Sequence, residues 1–281
     1  MVRRLSSRLV AAALVACLAG CTGLFFQPMR EHVHSPSDAG VAFRDIALTA
    51  SDGVRLHGWV LPAQGEARGV VVFLHGNAEN ISTHVASVLW LPARGYHVVV
   101  PDYRGYGRSE GRPSLDGVLR DVDAATAYAA DPANFGGLPV VLFGQSLGGA
   151  LALVHAGDPS HRARFAGVVT DSAFGGFRDI AREKLRLWWV TRWFAGPLGW
   201  LVDDDARPAD AVARIAPAPL LLIHGDRDTI VPVHHASRLF DAALAPKSLW
   251  VAPGAGHIEA LRRPEMRDRL ARHLDGLVTR E

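Results

Sequence analysis

Residues 138–149 read LPVVLFGQSLGG. An apolar run of the kind that forms a buried strand passes directly into one serine wedged among glycines. The run is continuous rather than alternating, which is the pattern of a strand covered on both faces. Gly144, Ser146 and Gly148 fit G-x-S-x-G, a sharp strand-to-helix turn that exposes a serine hydroxyl at the top of a sheet. Such a turn crowds its own backbone, so its flanking positions require residues with little or no side chain. Gly149 and Ala150 keep the following helix close to the sheet. The five-residue pattern alone also describes a glycine-rich loop; the strand before it and the helix after it decide the reading.

Similar apolar runs recur at 69–74 (GVVVFL), 97–100 (HVVV), 167–170 (GVVT), 219–223 (PLLLI) and 247–251 (KSLWV), beside 139–143 itself. Helical patterns lie between and after them, at 81–93, 114–130, 147–156, 234–244 and 258–275. Alternating strands and helices predict right-handed crossovers and a parallel sheet with helices on both faces. Ahead of them, 41–49 and 55–61 flank the turn signal ASDG and read as an antiparallel pair. The expected class is α/β, with one mostly parallel sheet of about eight strands. Ligands of such a sheet bind at the carboxyl ends of its strands. At 281 residues and 49% apolar content the chain suits one large domain, placed at 41–281.

A serine hydroxyl is a weak nucleophile, and it needs a base within hydrogen-bond reach that is itself oriented by an acid. Among 13 histidines, His257 combines late chain order with a place just after the last strand, in APGAGHIEAL. His75 and His224 also end strands, but each precedes a glycine and is expected to be structural. His234 and His235 are adjacent, without the i,i+4 spacing of helical metal ligands. For the acid, HGDRDTIVP (224–232) offers Asp226 and Asp228 on one loop. The order Ser, Asp, His suits a hydrolase of this architecture. The oxyanion formed during attack is received by backbone N–H groups, one of them expected from Leu147.

Together LHGNAEN (74–80), DYRGYGRSEG (102–111), GQSLGGA (144–150), HGDRDTIVP and GAGH (254–257) resemble the α/β-hydrolase superfamily. Within it the chain is similar to bacterial hydrolases of the bem46 type and to the serine aminopeptidase S33 group. The resemblance covers about residues 41–275. It implies Asp228 as the acid of a catalytic triad with Ser146 and His257, leaving Asp226 to shape the turn. It also implies Asn77 as the second oxyanion donor; the side chain of Asn77 could equally serve to close its turn. The implied activity is cleavage of a carboxylic ester or acyl lipid, with thioester or peptide cleavage as the alternative. A non-catalytic binding or scaffold role is the alternative of another class. No cofactor or metal is implied: RGYGRSEG fails as a dinucleotide loop at Glu110, and no P-loop lysine motif occurs.

Residues 172–210 form an insertion before the PLLLI strand and carry four of the seven tryptophans. They are expected to make a small helical cap that roofs an acyl pocket, packs on the body or leans on a membrane. Arg182, Lys184, Arg186 and Arg192 offer cations to lipid headgroups or to an anionic substrate.

The first 20 residues have the layout of a signal peptide: a basic start, an apolar run too short to span a membrane comfortably, and small residues. Leu18–Ala19–Gly20–Cys21 resembles the lipobox of bacterial lipoproteins, so Cys21 is expected to carry lipid and to hold the protein on a membrane. Thr22, in place of an aspartate, favours the outer membrane, facing the periplasm. Loss of Cys17 with the signal leaves the domain without a disulfide. Residues 21–40 then read as a tether, whose 19 residues after the cysteine extend at most about 65 Å. Phe25 and Phe26 are expected to pack on the domain. Removing three Arg and no acid turns the formal charge of +2 into −1, and no basic stripe suggests a nucleic-acid partner.

Overall fold

Eight strands pair into one sheet in a computed structural model that describes residues 26–161, 164–187, 196, 202 and 204–279. They are β2 (Arg44–Thr49), β3 (Arg55–Leu61), β4 (Gly69–Leu74), β6 (Tyr96–Pro101), β7 (Val140–Gln145), β8 (Gly167–Asp171), β9 (Leu220–Gly225) and β10 (Lys247–Ala252). Their order across the sheet is β10-β9-β8-β7-β4-β6-β3-β2. The β2–β3 and β3–β6 pairs are antiparallel and the rest parallel. The six apolar runs of the sequence and its antiparallel pair are these eight strands.

Every residue of β4, β7, β8 and β9 is buried. Successive side chains of a strand point to opposite faces. Val70, Val72 and Leu74 accordingly join Leu142, Val118, Val122 and Leu151 in one core layer. Val71 and Phe73 join Val141, Phe143, Leu270 and Leu274 in the other. Each such side chain contributes about 1.5–3 kcal/mol on burial, and a strand buried on both faces has no room for alternation.

The helices that matter for the site are α1 (Ile81–His84), α2 (Leu115–Ala130), α3 (Leu147–Ala156), α4 (Phe177–Leu187), α5 (His234–Ala242) and α6 (Pro264–Val278). Ser114 caps α2, accepting from Gly117 N–H. Two expected helices are shorter. The stretch 81–93 is one α-turn, then 3₁₀ turns at Val85–Ser87 and Pro92–Arg94. β-branched Thr83, Val85 and Val88 weaken it as a helix, and Pro92 cannot sit inside one. The stretch 258–275 is a 3₁₀ turn at Ala260–Arg262 followed by α6. Pro264 lacks the N–H of a helix interior and takes the first helical position instead.

The expected tether needs a correction: residues 26–40 lie on the domain. Two residues, β1 (Gln27–Pro28), pair in parallel with β5 (Ala78–Glu79). Met29 N–H donates to Glu79 O at 3.0 Å, and Gly107 N–H donates to Met29 O at 2.9 Å. Asn80 Nδ2 donates to Met29 O and to Glu31 O, at 3.1 and 2.6 Å. Phe26 is buried, and His32 Nε2 lies 2.7 Å from Asp102 Oδ2. This strap has no apolar periodicity because backbone groups make most of its bonds.

A chain beginning at Ser35 should unfold several degrees lower than one beginning at Phe26 in a thermal melt, because a buried Phe is worth about 1.5–3 kcal/mol. A methyl at Gly148 would stand 2.1 Å from the carbonyl oxygen of Leu74. Gly148→Ala should therefore cost about 3 kcal/mol or more in urea unfolding, unlike an ordinary surface glycine.

Candidate active site

Ser146 stands between β7 and α3 with φ 52° and ψ −115°. That conformation is costly for a residue with a Cβ and is kept where surrounding structure over-determines it. Here the N–H of Ser146 donates to Asp171 O at 2.9 Å. Gly144 and Gly148 admit the close approach, since a Cβ on Gly144 would meet Gly148 O at 2.1 Å. The serine opens into a cavity of about 580 Å³ that Leu147, Asn77 and His257 also line.

The loop after β9 carries Asp228. Its Oδ1 accepts from Ile230 N–H and Val231 N–H, both at 2.8 Å. Its Oδ2 lies 2.8 Å from His257 Nδ1. Burial pushes this carboxyl up, but the imidazole and the two amides outweigh it and hold the group below its ordinary value. A carboxylate on Nδ1 keeps the proton there, which leaves Nε2 as the acceptor of a neutral imidazole. Asp226 takes a different position: its Oδ1 accepts Gly254 N–H at 2.5 Å and so joins the acid loop to the histidine loop.

His224 and His75 hold loops. His224 Nε2 donates to Val231 O at 2.7 Å. His75 donates from Nδ1 to Gly76 O at 2.8 Å and stacks on Tyr103 at 4.0 Å. Burial pushes His75 down to about 3, so the ring is neutral.

Leu147 is the first residue of α3, a position whose N–H has no acceptor within the helix. Asn77 follows the His75–Gly76 turn, and its side chain reaches the strap and Tyr106. Its Oδ1 accepts Gln27 N–H at 3.2 Å, and Tyr106 donates its hydroxyl to Asn77 O at 2.8 Å and to Oδ1 at 3.1 Å. The strap is thereby bonded to the loop beside the serine, and Gln27 becomes part of the cavity wall. Nothing in the sequence marked Gln27, since its bond to Asn77 uses only its backbone.

Of the cap, α4 presents Ile180, Ala181 and Lys184 to the cavity, next to Phe174. Lys184 Nζ donates to Thr229 O at 3.3 Å. The four tryptophans of the insertion, Trp188, Trp189, Trp193 and Trp200, and the cation Arg192 lie outside the described residues. Glu183 joins the histidine pair: its carboxylate receives His234 Nε2 at 3.1 Å and His235 Nε2 at 3.2 Å. Their donor atoms lie within 4.8 Å of one another. Gly175 N–H donates to His235 Nδ1 at 3.3 Å, which puts the ring proton on Nε2, facing Glu183. The cluster is thus a hydrogen-bonded pin between α4 and α5. A further buried carboxylate, Asp171, ends β8. Its signal in the sequence is an acid closing an apolar run, GVVTD.

Residues 65–204 match the family described as serine aminopeptidase, S33. The Escherichia coli K12 protein YfhR is 36% identical over 221 residues, 76% of this chain and 73% of its own length. The Arabidopsis thaliana alpha/beta hydrolase domain-containing protein WAV2 is 31% identical over 239 residues, 80% of this chain and 75% of its own. A solved Pyrococcus furiosus esterase superposes with a TM-score of 0.70 at 21% identity, covering 90% of this chain and 97% of its own. At that identity the likeness is one of fold. The parallel sheet, the strained serine turn and these relatives agree: the chain belongs to the α/β-hydrolase superfamily.

Proposed function

We propose that the protein is a serine hydrolase that cleaves carboxylic esters through an acyl-enzyme. The observation that carries this reading is the His257–Asp228 pair, closed at 2.8 Å, on the same cavity as a serine held in a strained turn. Ser146 Oγ attacks the ester carbonyl as His257 Nε2 takes its proton. Asp228 holds the imidazole and supports the imidazolium that forms. Backbone N–H groups of Leu147 and Asn77 receive the oxyanion. The imidazolium then protonates the leaving alcohol, and water, activated by the same histidine, cleaves the acyl-enzyme.

The cavity favours an acyl chain, because Leu147, Phe174, Ile180, Val231 and Ile258 contribute much of its lining. One observation supports a second reading. Glu79 also lines the cavity, and its carboxylate suits the ammonium of a peptide N-terminus, in line with the aminopeptidase description of the family.

A lipid on Cys21 would hold the enzyme on a membrane, in this reading the outer membrane. With Phe26 docked, five residue steps separate the anchor from the domain, at most about 17 Å. The cavity then works close to the bilayer, within reach of acyl lipids.

A fluorophosphonate should label a chain beginning at Phe26 and fail to label Ser146→Ala. Turnover should be higher on p-nitrophenyl esters of medium acyl length than on aminoacyl p-nitroanilides; the reverse order would favour the peptidase reading. Folded wild type that takes no label would overturn the hydrolase. Asp228→Asn should lower kcat about 10⁴-fold, whereas Asp226→Asn should change it within about threefold, the effect of one hydrogen bond. Cells producing the full chain should incorporate labelled palmitate into it, and Cys21→Ser should abolish both that label and membrane sedimentation.

A further inference from the structure

Under the histidine loop lies a buried carboxylate that the reaction as written leaves idle. Asp171 is fully buried at the carboxyl end of β8. Gln145 Nε2 donates to its Oδ2 at 3.1 Å, and Ser172 Oγ donates to its Oδ1 at 3.4 Å. Ser172 Oγ in turn accepts the N–H of Ile258 at 3.1 Å. The backbone carbonyl of Asp171 accepts the N–H of Ser146 at 2.9 Å. Gln145 precedes the nucleophile and Ile258 follows His257. One residue is therefore bonded, directly or through a single hydroxyl, to both segments that must stay in register for proton transfer.

Backbone strain marks the same path. Ser146, Ser172 and Ile258 are non-glycine residues with φ of 52°, 59° and 50°. Each such residue costs on the order of 1–3 kcal/mol, and a β-branched isoleucine there is a genuine outlier. The chain Gln145–Asp171–Ser172–Ile258 runs between these three strained corners and holds them. A salt bridge is not what this carboxylate is for: its hydrogen-bond donors are an amide and a hydroxyl. The charged groups acting on it are His257, which favours its ionised form, and Asp228, which opposes it.

We propose that Asp171 is a positioning residue: through Gln145 and Ser172 it clasps the nucleophile turn to the histidine loop, with its charge placed to support the imidazolium of His257. The assignment rests on the serine-hydrolase reading for its catalytic consequence, and on geometry alone for the clasp. Burial pushes the carboxyl up from 3.8 to about 6, so it ionises inside the working range of such an enzyme. Because its folded value lies above the unfolded one, the neutral acid's contribution to stability is complete below pH 3.8 and is lost as pH rises through about 6. Turnover gains from the ionised form as pH rises through about 6, where stability and rate therefore move in opposite directions.

The test compares wild type, Asp171→Asn and Ser172→Ala. For Asp171→Asn, KM should stay within about twofold. The wild-type to variant ratio of kcat should climb from near 1 at pH 5 to about 10 above pH 7, one pK unit of lost charge stabilisation. Ser172→Ala keeps the charge and loses both hydrogen bonds of the hydroxyl, so its kcat should fall about tenfold at every pH. Amide hydrogen exchange should quicken in both variants at 145–148 and 256–259 and stay unchanged elsewhere. A ratio for Asp171→Asn that is flat in pH would reduce the residue to a structural part and overturn the proposal. Exchange that is unaltered in those two segments, or raised throughout, would overturn the clasp. If wild type takes no fluorophosphonate label, the hydrolase reading falls first, and the exchange experiment still decides the clasp.

Discussion

The approach of α3 to the sheet beneath Ser146 is the constraint on which the rest of the site depends. At Gly148 and Gly144 backbone meets backbone with no space for a methyl group, and the turn between them drives Ser146 into a left-handed conformation. Strain of that size persists only where neighbours over-determine it. They do so here from three sides: the sheet through Asp171, the loop after β4 through Leu74 and His75, and the body of α3 through its apolar contacts. The hydroxyl is consequently held in place before any substrate arrives, which is the preorganisation that the proposed acyl transfer requires.

Three buried carboxylates at or just after the strand ends illustrate how environment divides identical side chains into different tasks. Burial pushes all three up. Asp102 is brought down to about 2 by His32 and His57, and it ties the N-terminal strap to the α1 loop, its Oδ1 accepting Ile81 N–H at 3.1 Å. Asp228 also ends below its ordinary value, through His257 and two amides. Asp171, met only by an amide and a hydroxyl, is left at about 6. The partners, rather than the depth of burial, separate a latch, a partner of His257 and a titratable clasp.

Much of the architecture was legible in the chain because burial on both faces leaves a simple mark. Runs such as GVVVFL and PVVLF have no polar alternation, and a parallel sheet under helices is the structure that tolerates them. The serine turn was equally legible, since its glycines are demanded by contacts of its own backbone. Helix ends were less so. At 81–93 the apolar residues are spaced for a helix, yet β-branching and Pro92 reduce it to turns. In 258–275 Pro264 divides a stretch whose apolar spacing runs on.

Ser146, His257 and the choice between Asp226 and Asp228 show where local pattern stops. Composition and spacing placed all of them on the carboxyl edge, because strand ends and loops are written in consecutive residues. Which aspartate meets the imidazole depends on the path of a loop: Asp228 turns inward on two backbone amides, and Asp226 turns to Gly254. The strap from Phe26 onward and the Asp171 clasp lay further out of reach. Apart from the adjacent Asp171 and Ser172, their partners stand 25 to 86 positions apart in the chain, and several of their bonds use backbone groups that every residue possesses. Periodicity and the backbone needs of a tight turn are properties of neighbouring residues and are written in the chain; contacts between distant, chemically ordinary groups exist only once the sheet has brought them together.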